Sequence, residues 1–279
     1  MWYAYRNTGN EVEAVIFGIL GTGNMGEAIL RGILSSDTIA PEQVLIFDVN
    51  VAKRNALRDE LHVQAAESVE GLLERADMVL LAVKPNICEG LLNQYRALFA
   101  DKAIVSIVTG WNQARLCACL PANVRTLCIM PNTPVMADAG MIVFEKGNTL
   151  TDEEEATVQR MFRAVGRVAT IDGKLMPAVI GVSGSGPAYA YVFIEAMADA
   201  GVKHGLPRAT AYELAAQTLL GASKMVLESG VHPGELKDRV CSPGGTTIEA
   251  IASLERSGFR GAVIDAIDAC CNKAEEMSK

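Results

Sequence analysis

Histidine is nearly absent from this chain, three residues in 279, and aromatic side chains make up only 5% of it. His62, His204 and His232 have no serine, cysteine or acid arranged around them as a triad, so none is read as catalytic. Basic charge is also short. The 25 lysines and arginines face 33 acids, a net charge of -8, which argues against a nucleic-acid or anionic-membrane surface. Any anionic ligand must then be caught locally. Regular cysteine spacing is missing too: Cys88, Cys117, Cys119, Cys128, Cys241, Cys270 and Cys271 form neither the paired CxxC of a zinc site nor an even-numbered disulfide framework. They are read as idle thiols in a reducing cytoplasm, with no metal. No apolar run is long and charge-free enough to cross a bilayer, because Glu195 and Asp199 interrupt the best candidate. Residues 1–14 lack the basic and apolar regions of a secretion signal. They are read as an N-terminal extension, either loosely held or the product of a start site placed too early.

What the chain has in quantity is small aliphatic residues, organised in two textures. From Val15 to Asp172 short apolar runs alternate with helical patterns. The runs are Val15 to Leu20, Val44 to Phe47, Met78 to Val83, Ala103 to Val108, Arg125 to Met130 and Met141 to Phe144. Helical segments lie between them at Val51 to Leu61, Val69 to Ala76 and Asn86 to Phe99, and a last one from Asp152 to Val165 is expected to be capped by Gly166. This alternation predicts parallel strands joined by crossover helices. After Asp172 no strand pattern remains, and apolar helices are expected over Pro177 to His204, Arg208 to Ser229, Thr247 to Arg256 and Phe259 to Met277. Pro207 suits a first helical position and Gly230 a C-terminal cap. The second helix carries Leu214, Ala215, Leu219, Leu220, Met225 and Val226, a stripe wider than one packing face needs, which points to a domain centre or a subunit contact. The fold class is therefore α/β, with a dinucleotide-binding domain over 15–172 and an all-α domain over 173–279.

Three segments carry candidate chemistry. Leu20 ends a strand and is followed by Gly21-Thr22-Gly23-Asn24-Met25-Gly26 at the mouth of a helix, with Asp48 ending the next strand. In this context the glycines serve the turn, the approach of a pyrophosphate and close helix packing, and the acid suits a ribose hydroxyl. Asp48 favours NAD, while Asn50, Lys53 and Arg54 leave NADP open. Ala82-Val83-Lys84-Pro85 and Met130-Pro131-Asn132-Thr133-Pro134 end further strands, where an open α/β sheet forms its ligand crevice. Lys84 is either a phosphate or nicotinamide contact or a solvated strand-end charge. The third segment is Val240 to Ala250. Cys241, Ser242, Pro243, Gly244, Gly245, Thr246 and Thr247 open a helix whose free N–H groups suit an anion, and the two threonines are positioned to cap it. Ser183-Gly184-Ser185-Gly186-Pro187-Ala188-Tyr189 starts a long helix and is read as a close-packing segment at least as readily as a catalytic one.

Taken together, GTGNMG, AVKP, MPNTP, SGSGPAY, HPGELKD and SPGGTT resemble the pyrroline-5-carboxylate reductases, from Ile16 to Lys279. The first motif is shared by many families; the last three in this order are specific. The resemblance implies a Rossmann domain followed by a helical dimerisation domain, with assemblies up to pentamers of dimers. It also implies NADPH- or NADH-dependent reduction of 1-pyrroline-5-carboxylate to L-proline. Thr247 matches the threonine that hydrogen-bonds the ring nitrogen in that family. Such an imine nitrogen is basic enough to be protonated near neutral pH, which fits a site of hydroxyls, with Ser242 and the N–H groups around Gly245 to Thr247 on the carboxylate. Departures stand at Pro177 and Ile180, ahead of SGSGPAY, and at Val69, where many members carry an asparagine beside the adenosine ribose. Two other readings remain: a β-hydroxyacid dehydrogenase using Lys224 as acid/base, and a dinucleotide sensor without turnover, against which the intact SPGGTT speaks.

Overall fold

The computed structural model describes residues 5–8, 11–35 and 38–278. Distances between Cα atoms divide the chain into two compact units, one running to Gly184 and including the chain from Cys271 onward, the other spanning Ser185–Cys270.

In the first unit the elements are β1 (Tyr5–Thr8), β2 (Glu11–Ala14), β3 (Phe17–Leu20), α1 (Asn24–Ser35), β4 (Val44–Phe47), α2 (Val51–Leu61), β5 (Gln64–Ala65), α3 (Val69–Arg75), β6 (Met78–Leu81), α4 (Pro85–Gln94), β7 (Ala103–Ser106), α5 (Gln113–Cys119), β8 (Arg125–Met130), β9 (Gly140–Glu145), α6 (Asp152–Arg163), β10 (Gly166–Ile171) and α7 (Met176–Val179). β1 and β2 pair antiparallel with each other, within the stretch expected to be an extension; residues 1–4 and 9–10 of that stretch lie outside the described residues. The main sheet has eight strands in the order β10-β9-β8-β7-β6-β3-β4-β5. From β8 to β5 it is parallel throughout.

The strands read as continuous apolar runs because both faces of the sheet are covered. Along β6, Met78 and Leu80 join one buried cluster with Ile29 of α1 and Phe162 of α6. Val79 and Leu81 join the other with Leu72 of α3 and Leu92 of α4. In β3 the same alternation leaves a glycine facing α3, since a Cβ on Gly18 would stand 2.8 Å from side-chain carbons of Leu72 and Ala76. The reversal of strand order falls between β3 and β6, so the crevice where open α/β sheets take ligands lies beyond Leu20 and Leu81.

Several local expectations are corrected. β9 runs antiparallel to β8, with Ile129 opposite Phe144. The chain after α6 forms a strand, β10, parallel to β9. Gly166 opens that strand and caps nothing: its φ of 157° and the Gly140 carbonyl, which a Cβ would overlap, exclude other residues. The Asn86 to Phe99 segment is a helix only to Gln94, followed by a 3₁₀ turn over Arg96–Phe99. β5 and α5 are too short for their periodicity to show in sequence.

The second unit holds α8 (Gly186–Lys203), α9 (Arg208–Ser229), α10 (Pro233–Val240), α11 (Thr246–Arg256) and most of α12 (Phe259–Ser278). The helix expected from Pro177 is interrupted by a π turn over Ile180–Gly184 before α8 begins. Pro207 is the N-cap of α9 rather than its first residue, and Gly230 closes that helix at φ 66°. α9 packs along α8, burying Ala211 and Ala215, yet Leu214, Leu220 and Met225 stay more than half exposed. Tyr189, Val192, Phe193, Leu254, Phe259 and Val263 line an apolar groove in this unit, with the Phe193 and Phe259 rings 5.6 Å apart. A surface so apolar on a small helical unit marks an association face.

Candidate active site

Two of the three glycines in the turn meet backbone demands that no other residue could. Gly21 has φ +97°, and a Cβ there would approach the Ala82 carbonyl oxygen to 2.6 Å. A Cβ at Gly26 would overlap the carbonyl oxygen of Gly21 and stand 3.2 Å from the Ala82 Cβ. At Gly23 a Cβ would meet nothing within 4 Å. Gly21 and Gly26 are thus required by the protein's own packing, whereas Gly23 borders open space at the start of α1. The first N–H groups of a helix have no intrahelical partner, and the helix dipole adds partial positive charge there, so this cradle fits a pyrophosphate.

Leu20 and Ala82 are stitched together at the switch point, the Ala82 N–H donating to the Leu20 carbonyl at 2.9 Å, and the Gly21 N–H donates to Phe47 at 2.9 Å. Asp48 follows Phe47 directly. Its Oδ2 accepts the Thr22 N–H at 2.7 Å and the Thr22 hydroxyl at 3.0 Å, and its Oδ1 accepts the Asn50 N–H at 2.8 Å. The neighbouring cations are paired with acids. Lys53 lies 2.8 Å from Glu27, and this hydrogen bond, with help from Arg31, holds the Glu27 carboxyl below its ordinary range against the opposing effect of burial. Arg54, buried over the Phe47 ring, contacts Glu67 at 2.7 Å. Val69 is buried at the start of α3, behind the Ser68 N-cap.

At the end of β6, Val83 is half-buried and Lys84 is the exposed N-cap of α4, with Pro85 opening the helix as its fixed φ allows. Pro131 and Asn132 are buried. The Asn132 amide is committed at both ends: Oδ1 accepts the Met141 N–H at 2.8 Å and Nδ2 donates to the Ser183 carbonyl at 3.1 Å. It therefore ties the end of β8 to the start of β9 and to the π turn of the SGSG motif. That turn is not forced by crowding, since a Cβ on Gly184 would have its nearest neighbour at 3.8 Å, and one on Gly186 none within 4 Å. Asn132→Ala removes two hydrogen bonds to half-buried backbone groups and is expected to cost about 2 kcal/mol, lowering the melting temperature by roughly 4–8 °C. Thermal denaturation checks this. An unchanged melting temperature would mean that the latch carries no stability.

In the helical unit α10 was not legible in the sequence, although Pro233 at its first turn and His232 as N-cap, accepting the Gly234 N–H at 3.1 Å, are its signals. It delivers the chain into the turn before α11. There Gly244 adopts φ +64°, the Gly245 N–H donates to the Ser242 carbonyl at 3.0 Å, and a Cβ on Gly245 would overlap the Ser242 hydroxyl. The threonines do not cap. The N-cap is Gly245, no side chain bonds the first turn, and Thr246 and Thr247 are the first two helical residues. Without a capping oxygen, the N–H groups at this helix start are available to an outside anion, beside the exposed Ser242 and half-buried Thr247. Lys224, the alternative acid/base, is an exposed residue of α9 paired at 3.7 Å with Glu228, one turn on. It stands in the setting of an ordinary solvated lysine. Among the described residues no group of histidines, cysteines and acids is arranged to hold a metal.

Two family models match the chain. One, described as pyrroline-5-carboxylate reductase dimerisation, covers residues 173–277, and one described as NADP oxidoreductase, coenzyme F420-dependent, covers residues 16–110. The chain is 45% identical over 263 residues to a pyrroline-5-carboxylate reductase of Escherichia coli, spanning 94% of this chain and 98% of that protein. Among solved structures it is similar to the Plasmodium falciparum pyrroline carboxylate reductase with NADP bound, at 31% identity and a TM-score of 0.85, covering 95% of this chain and 98% of that one. A pyrroline-5-carboxylate reductase from Coxiella burnetii superposes with a TM-score of 0.87 at 29% identity, covering 95% and 99%.

Proposed function

This chain belongs to the pyrroline-5-carboxylate reductase family, and we infer from that membership and from the two separate cradles that it reduces 1-pyrroline-5-carboxylate to L-proline with NAD(P)H. The observation that carries the reading is the uncapped start of α11, where a short turn from Ser242 leads into a helix whose first N–H groups meet no capping side chain and whose first turn holds Thr247.

NAD(P)H held at the glycine turn would supply a hydride for C5 of the protonated imine, whose nitrogen would keep its proton as the secondary amine of proline. The residues of the chain do the holding. Gly21, Gly23 and Gly26, with the start of α1, form the pyrophosphate cradle, flanked by Leu20, Thr22, Asn24, Met25 and Asp48; Ala82, Val83, Lys84, Pro85, Pro131 and Asn132 complete the proposed cofactor segments. Ser242 and the N–H groups of Gly244, Thr246 and Thr247 bind the substrate carboxylate, Gly245 shapes the turn through its own bond to the Ser242 carbonyl, and Thr247 accepts the N–H of the protonated imine. A ring nitrogen already protonated needs no strong acid from the protein. Positioning is then the main contribution, consistent with a turn of hydroxyls and no histidine.

Thr247→Ala removes one hydrogen bond and is expected to lower kcat/KM for the imine by roughly 2- to 12-fold while leaving NAD(P)H affinity in place. Wild-type kinetics at limiting and saturating imine would remove Thr247 from the site. The activity itself is tested by following NADPH and NADH oxidation at 340 nm with and without the imine, and identifying proline as product. Imine-independent or absent oxidation in folded, cofactor-binding protein would sink the reading and favour a sensor.

The chain self-associates through its helical domain, and dimers assembled into decamers are proposed as the full form, supported by the exposed apolar residues of α9 and tested by solution mass. A domain boundary between residues 172 and 173 is part of the same proposal, and the start of the dimerisation match at residue 173 supports it. A reducing cytoplasmic setting belongs to the same proposal and is supported by cysteine spacing that fits no regular disulfide framework. No helix among the described residues is long and apolar enough to cross a membrane.

A further inference from the structure

An acid at the end of the second strand of a dinucleotide fold ordinarily reads the ribose, and its repulsion of a 2′-phosphate sets the choice between NAD and NADP. The bonding of Asp48 is unlike that arrangement. A carboxylate has about four lone-pair positions. Here two donors from Thr22 occupy Oδ2, at 2.7 and 3.0 Å, and the Asn50 N–H takes Oδ1 at 2.8 Å. One position remains, too few to grip a vicinal diol with both oxygens. Thr22 is wholly buried, so its hydroxyl faces the protein and not the ligand. The positive φ of Gly21 turns the Thr22 N–H back toward β4, where Asp48 receives it, while the Gly21 N–H is held by the Phe47 carbonyl next door.

We propose that Asp48 is a positioning residue for the cofactor: through Thr22 it braces the glycine turn in the shape that accepts a pyrophosphate, and it does not discriminate between NADH and NADPH. The pyrophosphate is common to both cofactors, so the brace acts on both equally. Only a carboxylate serves here. Asparagine offers one acceptor oxygen, and its amide nitrogen would face a donor from Thr22 or Asn50. The cations beside it, Lys53 and Arg54, are each matched by an acid, Glu27 and Glu67, so they add no net charge that would separate the cofactors.

This inference rests on the glycine turn being the cofactor site. The test is equilibrium binding of NADH and of NADPH to the full chain, followed by nicotinamide fluorescence, for wild type, Thr22→Val, Thr22→Ser and Asp48→Asn. Thr22→Val keeps the shape and deletes the hydroxyl. It is expected to weaken both cofactors by a common factor of roughly tenfold, as loss of a charge-assisted hydrogen bond does, and Thr22→Ser recovers most of that loss. Asp48→Asn weakens both as well, with the ratio of NADH to NADPH affinity within about twofold of wild type, and the steady-state loss falls on cofactor KM more than on kcat.

The proposal is overturned if Asp48→Asn improves NADPH relative to NADH by about tenfold, the signature of a ribose reader. It is also overturned if Thr22→Val binds both cofactors as wild type does. Should Asp48→Asn not fold, the Thr22 pair decides alone. Failure of wild type to bind either cofactor would instead remove the cofactor site itself, a result distinct from unchanged binding in the variants.

Discussion

Gly26→Ala is expected to lose roughly a hundredfold in affinity for NADH and NADPH together, a cost of about 3 kcal/mol from forced overlap. The added methyl would overlap the Gly21 carbonyl oxygen and press on the Ala82 Cβ. Neither neighbour can swing aside as the end of a flexible side chain would, because one is backbone and the other is anchored at the end of β6. Relief requires α1 to move away from the turn, and with it the N–H groups of the cradle. The melting temperature should fall alongside affinity. Gly23→Val is the contrasting case: its side chain enters space free of protein atoms, so stability should hold while cofactor binding fails. Measuring melting temperature without ligand and Kd for both cofactors separates the two. Full affinity in Gly26→Ala would show that the turn tolerates displacement, and an unchanged Kd in Gly23→Val would remove Gly23 from the pyrophosphate path.

Phe144→Ala should destabilise the first unit by about 4 kcal/mol, lowering its melting temperature by roughly 8–16 °C. Phe144 has no solvent exposure, and its ring meets that of Phe162 edge-on, with centroids 6.2 Å apart. Both belong to the buried cluster that joins α6 and β9 to the rest of the sheet face. The surrounding β-branched and aromatic side chains are held by strand pairing on one side and by α6 on the other, so collapse around the vacancy is limited. Urea or thermal denaturation followed by far-UV circular dichroism checks this. A fall below about 3 °C would mean that the antiparallel end of the sheet is not part of the cooperative core.

The parallel half of the fold was legible because burial on both faces makes each strand an apolar run, and Val44–Phe47 and Arg125–Met130 appear with the boundaries their composition predicts. The direction of β9 was not. An apolar run reads the same whether it pairs parallel or antiparallel, and only the 3₁₀ turn over Thr133–Ala137, which reverses the chain after β8, decides it. β10 escaped notice because its residues are half-buried to exposed at the sheet edge and carry no apolar run. Short elements such as α5 and α10 give too few turns for a helical period to emerge.

At the candidate site the same division holds. Sequence by itself determined the family, through motifs whose order and spacing are specific, and the positions of Gly21 and Gly26, where a positive φ or a close backbone approach leaves no other residue. It also marked the turn at Ser242 to Thr247 that leads into α11, since glycines before a helix are a local signal. Tertiary structure alone decided what the polar side chains do. Asp48 meets Thr22, Asn132 meets Met141 and Ser183, and Gly245 rather than a threonine begins α11. The reason is physical: backbone conformation is set by a residue and its immediate neighbours, whereas a hydrogen bond between residues 26 or 51 positions apart depends on how strands and turns are brought together, which no local pattern records.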